Sequence, residues 1–244
     1  MHNILLTISY DGARYCGWQR QLNGKSVQEE IEKSLEQLFK QTIRITGASR
    51  TDAGVHAAGQ RAGFFMENIR IPLEKLPYAM NASLPADIAV TKAEPAPDDL
   101  HPRFSAKRKI YEYAIYNNRI RDPLSNRAWH VRPVLDTAKM IEASEYLTGT
   151  HDFKTFCASG TETVNFVRTV HALDFDTNGP LIRFRITGDA FLYNMVRIIA
   201  GTLVYAGLGK LNPIDMPAII KSRDRAAAGV TAPPHGLTLM EILY

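Results

Sequence analysis

Twice along this chain the apolar residues switch between period two and period 3.6 in the same order, and that order is what most limits the fold. In the first pass Ile4, Leu6, Ile8 and Tyr10 alternate, as in a half-buried strand. Gly12 and Gly17 bracket a loop. Ser26, with Glu29 three residues on, forms a capping box ahead of Val27, Ile31, Leu35, Leu38 and Phe39 at helical spacing. Ile43 and Ile45 alternate in a short strand, and residues 58–66 read as another. Residues 72–82 read as a helix that Pro77 must kink or restart, and Ile88 and Val90 mark a further strand. The second pass repeats the order with longer connections. Residues 107–117 are a strand, Asp136 opens a helix that Gly149 closes, and residues 164–176 are a strand. Ile182, Phe184 and Ile186 alternate with Arg183 and Arg185; residues 190–206 are a helix; Asn212-Pro213 starts another; Leu237 to Leu243 is the closing strand. The expected class is α+β, with two ferredoxin-like (RRM-like) βαββαβ units whose antiparallel sheets meet at a central cleft. The units are expected at 1–102 and 103–244, with the Pro-bearing stretch Glu94 to Pro102 as the joint. Such a fold hosts many unrelated functions, so function has to come from particular residues.

The chain of 244 residues is 45% apolar and 22% charged, which is ordinary for a globular protein. Its formal net charge of +4 permits an acidic partner such as RNA without requiring one. Cys16 and Cys157 form neither a CxxC nor a disulfide framework, and read as free thiols in a reducing compartment. The N-terminus runs straight into a strand pattern with no signal peptide, and no stretch is long and apolar enough to span a membrane, so the expected location is the cytoplasm. The seven histidines make no HExxH and no Cys/His cluster, so no metal is expected. There is no Walker-type loop and no GxGxxG, which argues against bound ATP or NAD.

The most informative segment is Gly47-Ala48-Ser49-Arg50-Thr51-Asp52-Ala53-Gly54-Val55-His56, which falls between two strands, where functional loops often sit. Asp52 is the only acid between Glu36 and Glu67, and small neighbours let a ligand approach the backbone. On residue type alone Asp52 reads first as a turn former. A second constellation is the helix at 190–206, apolar nearly all round and hence expected to be buried, in which Arg197 is the only charge from Ala190 to Gly209. A buried guanidinium needs an anionic partner. Asp189, as the helix N-cap, is one choice, but it lies eight residues, or about two turns, before Arg197. A partner from outside the helix, with Asp52 preferred, is the expectation.

A third constellation runs from Arg103 to Arg132. Eight cations (Arg103, Lys107, Arg108, Lys109, Arg119, Arg121, Arg127 and Arg132) interleave with Phe104, Tyr111, Tyr113, Tyr116 and Trp129. Tyr111, Tyr113 and Ile115 share one strand face, which is either core or, if open, a stacking platform for bases. Cations among aromatics suit a phosphate backbone with unstacked bases, although a charge-protected strand edge has the same composition.

Arg50-Thr51-Asp52-Ala53-Gly54-Val55-His56 resembles the signature of the TruA family of tRNA pseudouridine synthases. The resemblance extends along most of the chain: Tyr10-Asp11-Gly12 with Tyr15, Gly17-Trp18-Gln19-Arg20, Ser26-Val27-Gln28, Asn81-Ala82 with Leu84-Pro85, and Asp87-Ile88-Ala89-Val90. It continues through His101 with Arg103-Phe104-Ser105-Ala106, Tyr111 with Tyr113, Asn194-Met195-Val196-Arg197 and Gly236-Leu237. It implies that Asp52 is the catalytic aspartate. By the same carry-over Tyr111 stacks on the target base, Arg197 pairs with the aspartate, and Arg50 helps displace the target nucleotide. It further implies a cofactor-free isomerisation of uridine in the anticodon stem-loop of tRNA, at positions thirty-eight to forty, by a homodimer. A non-catalytic RNA-binding module would explain the basic aromatic strand equally well, but not a lone Asp in a glycine-bearing loop. A small-molecule hydrolase built on Asp52 lacks a second carboxylate at a recognisable spacing.

Overall fold

The computed structural model describes residues 2–22, 24–160 and 163–244. Among them are ten strands, most of them paired antiparallel, and five α-helices, a mixed α+β chain. They fall into two compact units, one of residues 1–107 and 238–244, the other of residues 108–237.

The first unit contains β1 (His2–Tyr10), α1 (Val27–Phe39), β2 (Thr46–Gly47), β3 (His56–Met66), α2 (Leu76–Asn81), β4 (Ile88–Ala96) and β10 (Leu237–Leu243). β1 lies between β3 and β4, antiparallel to both. The opposite edge of β3 takes two partners: β2, antiparallel at Ala62 and Gly63, and β10, parallel at His56 and Ala57. The closing strand of the sequence thus pairs with a strand from the first pass. A register shift between Ile8 and Tyr10 of β1 sits where the strand reaches the segment before β3.

Local chemistry explains the helices. Ser26 Oγ accepts from Glu29 N (3.3 Å), the cap expected for α1, and Lys40 ends the helix in the left-handed region at φ 55°. A single 3-10 turn at Leu73–Lys75 precedes α2, which restarts with Pro77 in its first turn, where the missing N–H costs nothing. The strand expected at Ile43 and Ile45 does not form there. Both side chains are buried, but Ile45 N donates to Glu32 Oε1 (3.2 Å) and Ile45 O accepts from Gln28 Nε2 (3.0 Å). Side chains of α1 take the place of a neighbouring strand, and pairing begins only at Thr46. The Pro-bearing stretch is bound to this unit, since Asn3 Nδ2 donates to Pro97 O (2.7 Å) and Leu100 O (3.0 Å).

The second unit contains β5 (Arg108–Asn117), β6 (Trp129–Val131), α3 (Thr137–Glu145), β7 (Gly149–Asp152), β8 (Val167–Asn178), β9 (Leu181–Gly188), α4 (Met195–Gly207) and α5 (Met216–Ser222). β9 lies between β5 and β8, antiparallel to both; β7 extends the β8 edge antiparallel, and β6 pairs parallel to β5. Asp136 caps α3 by accepting from Lys139 N (3.2 Å). α4 begins at Met195, not at 190, with Asn194 at φ 59° as its N-cap residue. The apolar residues before it pack as a loop: Phe191 sits against Tyr111 (5.2 Å between centroids) and over Gly188. α3 packs on α4, where Gly207 faces Met140 without a Cβ.

Two charged clusters hold the first unit. Glu32, with its side chain 5% exposed, accepts from Arg44 Nη1 (2.6 Å), Arg20 Nη1 (3.2 Å), Gln28 Nε2 (3.1 Å) and Ile45 N. On the sheet, Arg61 bonds Thr7 Oγ1 (2.7 Å) and pairs with Glu94, which also pairs with Lys92. Burial opposes the charge on Glu94, but hydrogen bonds from Lys92 and Arg61 outweigh it and hold its carboxyl below the ordinary glutamate range. Glu32→Ala strands the buried Ile45 N–H and takes one of the two acceptors from Gln28 Nε2. It is expected to cost ~1–3 kcal/mol, or roughly 3–10 °C in Tm by calorimetry. Because the folded pKa of Glu94 is depressed, its contribution is present above the unfolded value and disappears as pH falls through the folded one. The stability gap between the native chain and Glu94→Gln, measured by urea unfolding, should be fully open above the ordinary glutamate range and should narrow as pH is taken below it.

Candidate active site

The segment from Gly47 to His56 lies in the first unit and leads from β2 into β3. Its shape follows from what lies beneath it. Gly47 rests on the indole of the buried Trp18: a Cβ there would be 2.2 Å from Trp18 Nε1. Ala48 N donates to Arg61 O (2.8 Å). Ser49 is held at both backbone atoms by one amide, Gln60, whose Oε1 accepts from Ser49 N (3.3 Å) and whose Nε2 donates to Ser49 O (2.7 Å). Gln60 is fully buried in β3. Thr51 is buried too: its hydroxyl bonds the Tyr10 hydroxyl (2.8 Å), and its carbonyl accepts from Trp18 N (3.1 Å).

Asp52 comes next and is half-buried, between the exposed Arg50 and Ala53 on the outside and the buried Thr51 within. Its carbonyl accepts from Val55 N (3.1 Å), which closes a turn with Gly54 at φ 79° in the left-handed region. Behind the turn runs the segment after β1. Gly12 lies so close that a Cβ would fall 2.0 Å from Val55 O, and at Gly17 (φ 98°) one would fall 2.4 Å from Thr51 O. Both approaches require glycine. That supporting segment is tied down by Asp87. Tyr15 Oη donates to Asp87 Oδ1 (2.6 Å), and Arg14 pairs with Oδ2 (2.8 Å). Burial first, and the Asp87 carboxylate second, push the Tyr15 hydroxyl well above the ordinary tyrosine range, so it stays a donor. His56 Nδ1 lies 3.1 Å from Gly12 N and 3.0 Å from Asp11 Oδ1. The first contact needs a lone pair on that nitrogen and the second a proton, so the ring makes one at a time.

The other expected residues lie in the second unit. Tyr111, Tyr113 and Ile115 point to one face of β5; Tyr113 and Ile115 are wholly buried in the core, and Tyr111, at 6% exposure, is the one of the three that keeps accessible surface. Tyr111 meets Phe191 edge to face; Tyr113 stacks on Phe184 (5.9 Å) and donates to Pro233 O (2.9 Å). Burial raises the Tyr113 hydroxyl far above its usual range, and the charge of Arg197 acts the other way. Arg197 stands in the first turn of α4. It is half-buried, not fully buried as the apolar helix suggests, with Nε donating to Ala232 O (2.8 Å) and Nη1 to Asn194 Oδ1 (2.7 Å). Asp189 is not the cap of α4. It accepts from Thr169 N (3.2 Å) and Ala190 N (2.6 Å), which closes β8 and β9 onto the turn that follows. A cation at a helix N-terminus opposes the helix dipole, so Arg197 is not there to stabilise α4.

Of the residues that shape the loop, Tyr10 and Trp18 are marked in the sequence as part of a site only within the segments of the family resemblance, and Gln60 is not marked there at all. Gln60→Leu keeps the bulk and removes both bonds to Ser49. It should cost ~1–3 kcal/mol of stability by denaturant titration, since two backbone groups lose their partners.

Among the described residues no group of His, Cys, Asp or Glu could hold a metal ion, and no helix is long and apolar enough to cross a membrane. The sequence profile of tRNA pseudouridine synthase matches residues 6–105 and 143–244. Relatives are similar over their whole length. A protein of a Thermoanaerobacter species named tRNA pseudouridine synthase A is 46% identical over 245 residues, covering all of both chains. One of the same name from Bacillus licheniformis is 50% identical over 241 residues, 98% of this chain and 97% of that one. One from Ruminiclostridium cellulolyticum is 46% identical over 246 residues. On this likeness, which takes in the Arg50–His56 loop, the chain belongs to the tRNA pseudouridine synthase family.

Proposed function

We propose that this protein isomerises uridine to pseudouridine in the anticodon stem-loop of tRNA, at positions thirty-eight to forty, with Asp52 as the catalytic carboxylate. The observation that carries the reading is a half-open carboxylate on a loop whose neighbours Ser49, Thr51 and Val55 are all immobilised, in a chain of this family. A group held in that way loses little freedom when a substrate arrives. In the reaction the N1–C1′ bond breaks, the uracil turns in place, C5 bonds to C1′, and the C5 proton leaves as N1 gains one. No atom is added, and no cofactor is called for. Asp52 acts as the anion, as nucleophile or as base.

The target base is stacked in its stem and has to leave it, at a cost of a few kcal/mol. The exposed Arg50, two residues before Asp52, suits the space the base vacates. Tyr111 and Arg197 are proposed as substrate-binding residues, the ring for uracil and the guanidinium for an anion. The exposed cations Arg119, Arg121, Arg127 and Arg132 support phosphate contacts that position the RNA without reading its sequence. The same reading includes a homodimer in the cytoplasm. The order β4-β1-β3-β2 in the first unit supports a ferredoxin-like description of it, and β5-β9-β8 supports a partial one of the second.

The test is to incubate the protein with unmodified tRNA and map pseudouridine at single-nucleotide resolution. Asp52→Asn keeps the volume and removes the charge. It should form no detectable product while binding tRNA within about tenfold of the native protein. Near-native turnover by the Asn variant would remove Asp52 from the mechanism.

A further inference from the structure

We infer that Phe104, backed by His101 and flanked by Arg103, is a preformed stacking platform for an unpaired base of the RNA substrate. The inference rests on the RNA-modifying reading above and concerns residues outside the Asp52 loop. Residues 101–105 close on themselves. Ser105 N donates to His101 O (3.0 Å), and His101 N donates to Ser105 Oγ (3.0 Å). Within that ring of bonds, His101 Nδ1 accepts from both Arg103 N (3.1 Å) and Phe104 N (3.2 Å). This nitrogen therefore keeps its lone pair, and the imidazole plane is set by two backbone donors. The Phe104 ring lies against that plane, with centroids 4.4 Å apart and a tilt of 31°. The Arg103 guanidinium stands 5.6 Å from the Phe104 centroid.

With both neighbours in place Phe104 is still 76% exposed. The turn beneath is anchored, since Pro102 is buried, packs over Gly63 and accepts from Tyr244 Oη (2.8 Å). Phe65, Tyr78 and Tyr193 are also exposed, but among the described residues none of them has a stacked ring behind it. An aromatic ring stiffly held, backed on one side, open elsewhere and set beside a cation matches a nucleobase with its phosphate. Arg103 beside the ring and Lys107 in the same segment are both exposed, and such cations suit nucleic acid better than an apolar protein face. The base must be unpaired, because a stacked stem offers no free face.

Affinity for an unmodified tRNA transcript, measured by fluorescence anisotropy, tests the platform. Phe104→Ala should weaken binding by about 5- to 150-fold, while Phe104→Trp stays within about twofold. Because Phe104 is placed on the binding side and not at the reacting atoms, the loss in Phe104→Ala should fall more heavily on KM for tRNA than on kcat. A 2-aminopurine substituted at successive unpaired positions should be quenched by the native protein at one of them and not by Phe104→Ala. Phe104→Ala binding within about twofold of native overturns the inference. So does a change in its molar mass by light scattering, which would make the ring a contact between copies of this chain. If the native protein forms no pseudouridine, the proposed activity fails; if it does and Phe104→Ala binds as well, only the platform fails.

Discussion

The close passage of two backbone segments, with no side chain between them, is the constraint on which the candidate site depends. Gly12 and Gly17 bring the segment after β1 against Val55 and Thr51 at distances that no Cβ allows. Ordering a loop costs about 1–2 kcal/mol per residue in backbone freedom alone. That cost is met where the two segments bond each other. Thr51 is held through its hydroxyl by Tyr10 and through its carbonyl by Trp18, and Ser49 is held by Gln60 from behind. The turn at Asp52 is therefore stiff although it lies at the surface, and stiffness is what a positioned carboxylate needs.

The scaffold under the loop explains how it can be stiff. β3, into which the loop runs, is flanked by β1 along its length and by β2 and β10 on its other edge. β10 pairs with β3 at His56 and Ala57, directly where the loop ends. The last residues of the chain thus brace the exit of the loop, while Glu32 and its cations brace the segments on either side of α1. A register shift in β1 brings Tyr10 opposite Ala57, at the position where its hydroxyl reaches Thr51.

In the second unit the governing fact is a cation at the positive end of a helix. Arg197 gains nothing there from the dipole of α4, and Ala232 O and Asn194 Oδ1 are among the groups that accept from it. The segment that supplies Ala232 is itself pressed onto α4: Gly229 N donates to Thr202 Oγ1 (2.9 Å), and Gly201 has no room for a Cβ beneath Val230 O. Small residues in an apolar helix thus set the aim of a polar side chain one to two turns away.

What the sequence determined by itself were the features written in neighbouring residues. The switch of apolar period marked β1, α1, β3, β5, β9 and β10, the Ser26 and Asp136 caps were legible as residue types, and the heptapeptide Arg50–His56 announced the loop. The tertiary structure alone decided the rest. Ile43 and Ile45 read as a strand because alternation reports burial, but their backbone bonds went to Glu32 and Gln28. The run from Ala190 read as helix because an apolar loop around Phe191 buries the same kind of surface, and α4 began only at Met195. Asp189, adjacent in sequence to that run, bonded Thr169 and Ala190 instead. Gln60, silent in the sequence, became the clamp on Ser49. Periodicity and caps are local, so the chain states them directly; which buried donor meets which acceptor depends on segments far apart being brought together, and only the packed fold selects that.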